Sequence, residues 1–400
     1  MQRVASLVDY LRFSLTRARL SPMTLKNVLL LITPSSPGRF AGIARFARAH
    51  GWHLTVADRL THALNGWSGD GALVTLRDDE TVLRQVRSLR RRGIPVVDLT
   101  AARPDVALPR VCGDNSAIGR LAAEHFRSRY YRNVAWYSTG WGHQHELRHA
   151  AFAGEFPDQT VSRWAWTLDP RSTKSDDWKA LSRWLEGKLA EAPKPLGVFC
   201  FDDADASRVE SAVLDAGLKI PDDVAVLGAG DDRPLCESQF LPISSVHHDL
   251  EQIGYRGAEL LEELMSGVEV NRSGDPILIP PGGITERAST DALAVNSDLV
   301  RRAAEIYRAD LAHPPSTALL AERLGISRST LDRAFAADLG LSPAHLLARL
   351  RLDEAKRLLR DGTKSIAEIS YSLGYCNPAY FTNTFRAATG QTPKSWRTGN

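Results

Sequence analysis

The chain has 400 residues, 24% charged and 43% apolar, without a low-complexity run, which excludes a disordered or fibrous protein and calls for more than one hydrophobic core. No stretch approaches the run of about eighteen apolar residues that a membrane span needs, and Asp9 and Arg12 interrupt the segment where a signal peptide keeps its apolar core, so a cytoplasmic protein with no membrane partner is expected. The net charge of +3 conceals an asymmetry: from Asp298 onward fifteen Lys and Arg face ten Asp and Glu, and this surplus of +5 suits a polyanionic partner.

Residues 1–25 read as a leader in which Val4, Leu7, Val8, Leu11 and Leu15 have helical spacing; Met23 offers an alternative start. From 26 to 288 short apolar runs alternate with amphipathic segments. "NVLLLI" leads to "GRFAGIARFARAHG", "GALVTL" to "TVLRQVRSLRRRG", and "IPVVDL" toward "SAIGRLAAEHFRSR". The alternation restarts at "RNVAWYST" and continues through "SRWAWTL", "LGVFCF" and "VAVLGA". Such a pattern predicts parallel sheets covered by helices, and its length favours an α/β sensor of two lobes with a cleft.

Ligands of open α/β sheets collect beyond the carboxyl ends of the strands. The loops there read "TPSSPGR", "GWGHQHELR", "DDADAS" and "GDDRP". They supply Arg39, Trp141, Arg148, Asp202, Asp231 and Asp232, a mixture of planar charged groups and an aromatic face that suits vicinal hydroxyls and the C–H side of a sugar. The same acidic residues also suit helix capping. His143, His145 and His149 lack the spacing of a metal motif, and no phosphate loop or nucleophile elbow follows a strand, so neither an enzyme nor a metal or other cofactor is expected. Cys112, Cys200, Cys236 and Cys376 stand apart and read as reduced, buried thiols.

After a linker over 289–297, residues 298–400 read as an all-α domain that states one phrase twice. In "TALLAERLGISRSTLDRAFAADLG" a helix over Thr317 to Leu324 ends at Gly325, and Ser327 caps a second helix packed through Ile326, Leu331 and Phe335. In "SIAEISYSLGYCNPAYFTNTFRAATG" the turn is Gly374, the cap Asn377, the first helical residue Pro378, and the packing residues Phe381 and Phe385. Each is a helix-turn-helix, and "SPAHLLARLRLDEAKRLLRDG" joins them as one long helix. Arg328, Ser329, Asp332 and Arg333 of the first copy, and Ala379, Thr382 and Asn383 of the second, are predicted to face outward toward base edges in the major groove. Arg333 is the candidate for a guanine, while Ser327, Lys364 and Arg386, with Arg328 as an alternative, suit phosphates.

These motifs resemble the DNA-binding domain of AraC-type activators over about residues 297–397, and the preceding portion resembles the periplasmic-binding-protein-like sensor of LacI-type repressors. Their order is similar to that of the xylose-operon regulators. The resemblance implies a cytoplasmic, sugar-responsive transcription factor, usually an activator that works with RNA polymerase and usually a homodimer, acting on operator DNA with xylose or a related sugar as effector. It also implies sugar contacts for Arg148 and Asp202. The third family position, an Asp, is Gly230 here, followed by Asp231 and Asp232; this leaves open a ligand-independent regulator that uses its sensor only to dimerise.

Overall fold

The computed structural model describes residues 25–32, 37–57, 64, 66–77, 79–168, 178–268, 275–295 and 297–399. The expected leader helix, four residues of the "TPSSPGR" loop and Asn296 of the linker lie outside the described residues. The chain divides into two compact units, Met1–Gly113 with Asp249–Ile279, and Asp114–His248 with Pro280–Asn400.

The first unit begins with β1 (Lys26–Leu31), α1 (Pro37–His50), β2 (Trp52–Val56), β3 (Gly71–Val74), α2 (Glu80–Arg91), β4 (Val96–Asp98) and β5 (Val111–Gly113). Four strands pair in parallel in the order β2-β1-β3-β4. Val28 to Leu31 of β1 and all of β3 are buried, as a sheet covered on both faces requires. The edge strand β2, "WHLTV", has no apolar run that would announce it, because His53 and Thr55 interrupt it.

The second unit continues with α3 (Asn115–Ser128), β6 (Asn133–Ser138), α4 (His143–Gly154), β7 (Ser162–Ala165), α5 (Trp178–Glu191), β8 (Leu196–Cys200), α6 (Asp203–Asp215), β9 (Val224–Gly230), α7 (Arg233–Ser238) and β10 (Ser244–His247). The chain then returns to the first unit for α8 (Leu250–Met265) and β11 (Ile277–Ile279), which pairs with β5. Strand β12 (Ile284–Thr285) closes a six-stranded sheet of order β12-β10-β9-β8-β6-β7, antiparallel only at β10 and β12. Helix starts follow local chemistry: Asp79, Asp114, Asp202, Asp232 and Asp249 each accept a backbone N–H of the first turn. The acidic residues thus serve as caps in addition to any further role.

Helix α8 reaches the first unit through glycine. A Cβ at Gly254 would overlap the Arg39 carbonyl, and one at Gly42 would overlap the Glu251 carbonyl, so α1 and α8 approach backbone to backbone. Only residues without a side chain permit this.

Seven helices complete the second unit: α9 (Asp298–Ala309), α10 (Thr317–Arg323), α11 (Arg328–Leu339), α12 (Pro343–Asp361), α13 (Ile366–Ser372), α14 (Pro378–Thr389) and α15 (Pro393–Gly399). Two cores form around α12. Leu331, Phe335 and Leu346 belong to one; Leu359, Phe381 and Phe385 belong to the other. The segment expected as a linker is packed: Ser289 and Thr290 are buried in the sheet-bearing part, Ala292 is buried, and Val295 joins the core around Phe335. Cys112, Cys200 and Cys236 are buried free thiols, whereas Cys376 is exposed, contrary to expectation, because it lies in the turn before α14.

The close approach of α1 and α8 sets a test. Gly254→Ala is expected to cost about 1–3 kcal/mol, as overpacking typically does, lowering the urea midpoint of unfolding. Gly187→Ala, on an exposed helical position with nothing near its Cβ, is expected to be neutral or stabilising by up to about 1 kcal/mol.

Candidate functional site

The carboxyl ends of β6, β8 and β9 and the starts of α4 and α6 bring together most of the expected ligand residues of the second unit. Arg148 of α4 is 3% exposed. Its Nε and Nη2 donate to Asn115 Oδ1 at 3.1 and 2.7 Å, and its Nη1 donates to the Phe201 carbonyl. Its guanidinium also lies over the Phe201 ring, 4.5 Å from the centroid. Burial lowers its pKa to about 10, opposed by the nearby Asp202 and Asp203 carboxylates, so it stays charged at neutral pH.

Asp202 is half-buried, and its Oδ1 accepts the Asp205 amide at 2.8 Å as the cap of α6. The next two carboxylates, which sequence reasoning passed over, are more deeply placed. Asp205 accepts Thr139 N and Oγ1 at 3.2 and 3.0 Å and pairs with Arg208; burial first, and then Asp202, raise its pKa to about 6. Asp203 is 3% exposed and accepts the Ser245 hydroxyl and the Asp232 amide. Burial also raises its pKa.

Asp203 explains the missing family carboxylate. Gly230 has φ +143°, and a Cβ there would lie 2.8 Å from Asp203 Oδ2. No side chain fits while Asp203 occupies that space. Asp231, expected to face a ligand, instead commits both oxygens within the protein: Oδ1 to Arg287 at 2.9 Å, and Oδ2 to Thr285 at 2.7 Å with His247 at 3.5 Å. These partners outweigh burial and hold its pKa down to about 2. They also stabilise its unusual positive φ of 56°. Asp232 is exposed and caps α7. Once the chain turns at Gly230 these two side chains have local tasks, a consequence that composition alone cannot show.

An aromatic wall stands beside Arg148. His145 stacks on Phe201 at 3.8 Å, Trp141 lies 6.4 Å from His145, and Arg163 covers Trp141 at 4.9 Å. Burial, and then Arg148, lower the His145 pKa to about 4, so its ring is neutral at physiological pH. Trp136 Nε1, His145 Nδ1 and His149 Nε2 are buried without hydrogen-bond partners, polar atoms that a water or a ligand can satisfy. Among the described residues no His, Cys, Asp or Glu cluster suits a metal. Arg39 belongs to the first unit, half-buried near Arg77 and Asp98. Burial lowers its pKa to about 10, with Arg77 adding to the shift.

The helical region forms a second candidate site. Gly325 and Gly374 have φ of +70° and +72°, giving both copies the same turn. Ser327 Oγ accepts the Thr330 amide at 3.2 Å, and Asn377 Oδ1 the Tyr380 amide at 2.8 Å. Arg328, Ser329, Asp332 and Arg333 are exposed on α11, with Arg328 3.8 Å from Asp332. Ala379, Asn383 and Arg386 are exposed on α14, and Lys364 is exposed before α13. Thr382 differs from expectation: it is half-buried and donates its hydroxyl to the Pro378 carbonyl at 2.8 Å, leaving its methyl and lone pairs for recognition. Tyr380, 57% exposed beside these residues, was missed; an aromatic at the third position of a helix reads equally well as core.

The comparisons agree with both halves of this architecture. A family described as a periplasmic binding protein-like domain matches residues 123–290, and one described as a helix-turn-helix domain matches residues 320–399. The xylose operon regulatory protein of Haemophilus influenzae is 25% identical over 371 residues, covering 89% of this chain and 93% of that protein. That of Escherichia coli K12 is also 25% identical, covering 84% and 86%. A solved structure described as the xylose-binding transcription activator XylR shares the fold with a TM-score of 0.58 at 22% identity, covering 94% of this chain and 98% of that one. The chain is therefore similar in architecture to the xylose operon regulatory proteins, with a periplasmic-binding-protein-like domain followed by a helix-turn-helix domain.

Proposed function

We propose that the protein is a DNA-binding transcription regulator rather than an enzyme, and that a small carbohydrate, xylose or a related sugar, sets its affinity for operator DNA. The observation that carries this reading is the pairing of two outward recognition helices, α11 and α14, with a periplasmic-binding-protein-like unit in one chain. Arg148, Asp202 and Trp141 are the groups we assign to the sugar, at the carboxyl ends of the second unit's strands. In the same reading the protein is a cytoplasmic homodimer that activates a carbohydrate-utilisation operon through RNA polymerase. The similarity to a solved transcription activator supports that sign of regulation.

A specific observation favours a second reading. With Asp203 filling the space at Gly230 and Asp231 paired to Arg287, the site lacks a free acceptor at the position where the family resemblance implies an Asp, as expected of a regulator that needs no ligand. A thermal-shift screen separates the two, since a ligand that binds only the folded state raises the melting temperature. D-xylose or another pentose is expected to stabilise the protein; no stabilisation by any pentose, hexose or sugar acid would favour the second reading.

Operator fragments selected from genomic DNA supply the direct test. Saturating D-xylose is expected to change gel-shift affinity about fivefold or more, and affinity unchanged by D-xylose and related pentoses would contradict sugar control. Arg333→Ala is expected to cost about 1–3 kcal/mol of operator binding and to relax selectivity at one base pair. Arg386→Ala is expected to weaken all sequences equally and to reduce the salt slope by about one. Retained selectivity at every base in Arg333→Ala would remove that residue from the reading set.

The aromatic wall predicts a pH signature. His145 binds its proton at about pH 4 when folded and near its ordinary 6.5 when unfolded, so the unfolded chain takes up more protons between these values. Stability is therefore present above pH 6.5 and is lost as the pH falls toward 4. Replacing the ring by His145→Phe keeps the stack and is expected to flatten the melting-temperature decline across that window; parallel declines in wild type and variant would refute the assignment.

A further inference from the structure

The ligand residues and the helical region share the second unit, and α3 runs from the former to the segment, Arg129 to Arg132, that meets the latter. At its first residue, α3 presents Asn115, whose side-chain oxygen holds two nitrogens of Arg148. One turn on, a Cβ at Gly119 would overlap the Arg148 carbonyl, so α3 and α4 pack backbone to backbone. Thirteen residues after Asn115, α3 ends at Ser128, about 20 Å away at 1.5 Å per residue.

That far end is joined to the helical region. The Arg129 carbonyl accepts the Ala294 amide at 2.8 Å. Its side chain donates to the Thr290 carbonyl at 3.1 Å and pairs with Glu286 at 2.8 Å. Tyr130, with φ +65°, directs its ring into the core that contains Phe335 and Leu346. The Arg349 guanidinium of α12 lies over that ring, 5.0 Å from its centroid, and Asp353 one turn further interacts with both Arg129 and Arg349. Arg132 donates to the Asp338 carbonyl near the end of α11. Beside the contact an open cavity of about 1200 Å³ runs between Arg120 and Glu124 of α3 and Lys356 and Trp396 of the helical region. The helical region thus meets this end of α3 at a localised contact with space beside it, a geometry in which a small rotation of α3 can tilt α12.

We propose that α3 is a transmission strut: Asn115 senses the position of Arg148, and Arg129 with Tyr130 delivers that position to the middle of α12, which sets the relation of α11 to α14. The proposal rests on Arg148 belonging to the effector site. It requires two arrangements of the Tyr130–Arg349 contact, populated differently according to what holds Arg148. Tyr130 and Arg349 are then positioning residues, remote from sugar and bases alike.

The test uses the full chain. Backbone hydrogen exchange is compared in wild type, Asn115→Ala, Arg349→Met and, as a control that loosens the core packed on α3 while keeping Asn115 and the Tyr130–Arg349 pair, Phe156→Ala. Asn115→Ala is expected to speed exchange about fivefold or more in 126–132, 292–295 and 345–357 as well as locally. Phe156→Ala is expected to leave 345–357 unchanged. A rise in Asn115→Ala confined to 115–155, or one that Phe156→Ala reproduces at 345–357, overturns the strut. Should Asn115→Ala fail to fold, Arg349→Met decides from the other end. It is expected to keep the wild-type thermal shift with D-xylose while losing the D-xylose effect on operator affinity; an intact effect overturns the proposal. If D-xylose leaves wild type unshifted, the sugar reading fails on its own, and the exchange pattern of Asn115→Ala still judges the strut.

Discussion

A buried guanidinium organises the second unit. Arg148 costs desolvation energy that no apolar side chain would, and the protein answers with the Asn115 oxygen, the Phe201 carbonyl and ring, and the field of Asp202 and Asp203. The partners come from α3 and from the connection between β8 and α6, so satisfying one charge on α4 fixes these elements together. The Gly119 contact reinforces this by bringing α3 and α4 closer than side chains would allow. The carboxylates follow the same logic: Asp203 can be buried because Gly228 and Gly230 leave room for it and Ser245 and the Asp232 amide donate to it.

The helical region obeys a simpler constraint. Helices begin on a side chain that accepts a backbone N–H of the first turn, from Ser297, Ser316, Ser327, Ser342, Ser365 and Asn377, and three end at glycines of positive φ, Gly340, Gly362 and Gly390. Helix α12 has 19 residues, about 28 Å, close to the rise of one turn of B-DNA. The two copies are not equivalent. Space is open around Gly325, whereas a Cβ at Gly374 would overlap the Ala312 carbonyl, and Arg351 ties α12 to the same loop through the Leu311 carbonyl. The turn of the second copy is therefore packed against the loop before α10, while that of the first is open.

Much of this was legible in the residues. Glycine at the turn, a polar cap and aromatic packing positions recur at matching intervals in both helix-turn-helix copies, because local chemistry decides them. The alternation of apolar runs and amphipathic segments likewise foretold the parallel sheets. What was not legible depends on contacts far apart in sequence. Strand β2 is polar at His53 and Thr55 because it is an edge, α8 leaves the second unit to pack on α1, and β11 pairs with β5 across more than 160 residues. At the ligand end, the setting of each side chain depends on neighbours the residues alone do not show: Asp231 turned to Arg287, and Asp203, adjacent to a named candidate, took the buried position. A segment that looked like a spacer is packed, since Ser289, Thr290 and Val295 are buried.

Under the proposed function, one chain couples a sugar site to a bipartite DNA reader. Coupling of two binding events is reciprocal, so the operator must alter sugar affinity by the factor by which the sugar alters operator affinity. Calorimetric titration of the full chain with D-xylose, with and without saturating operator, measures this directly. Coupling requires two affinities that differ about fivefold or more; equal affinities, with D-xylose bound in both titrations, would rule it out.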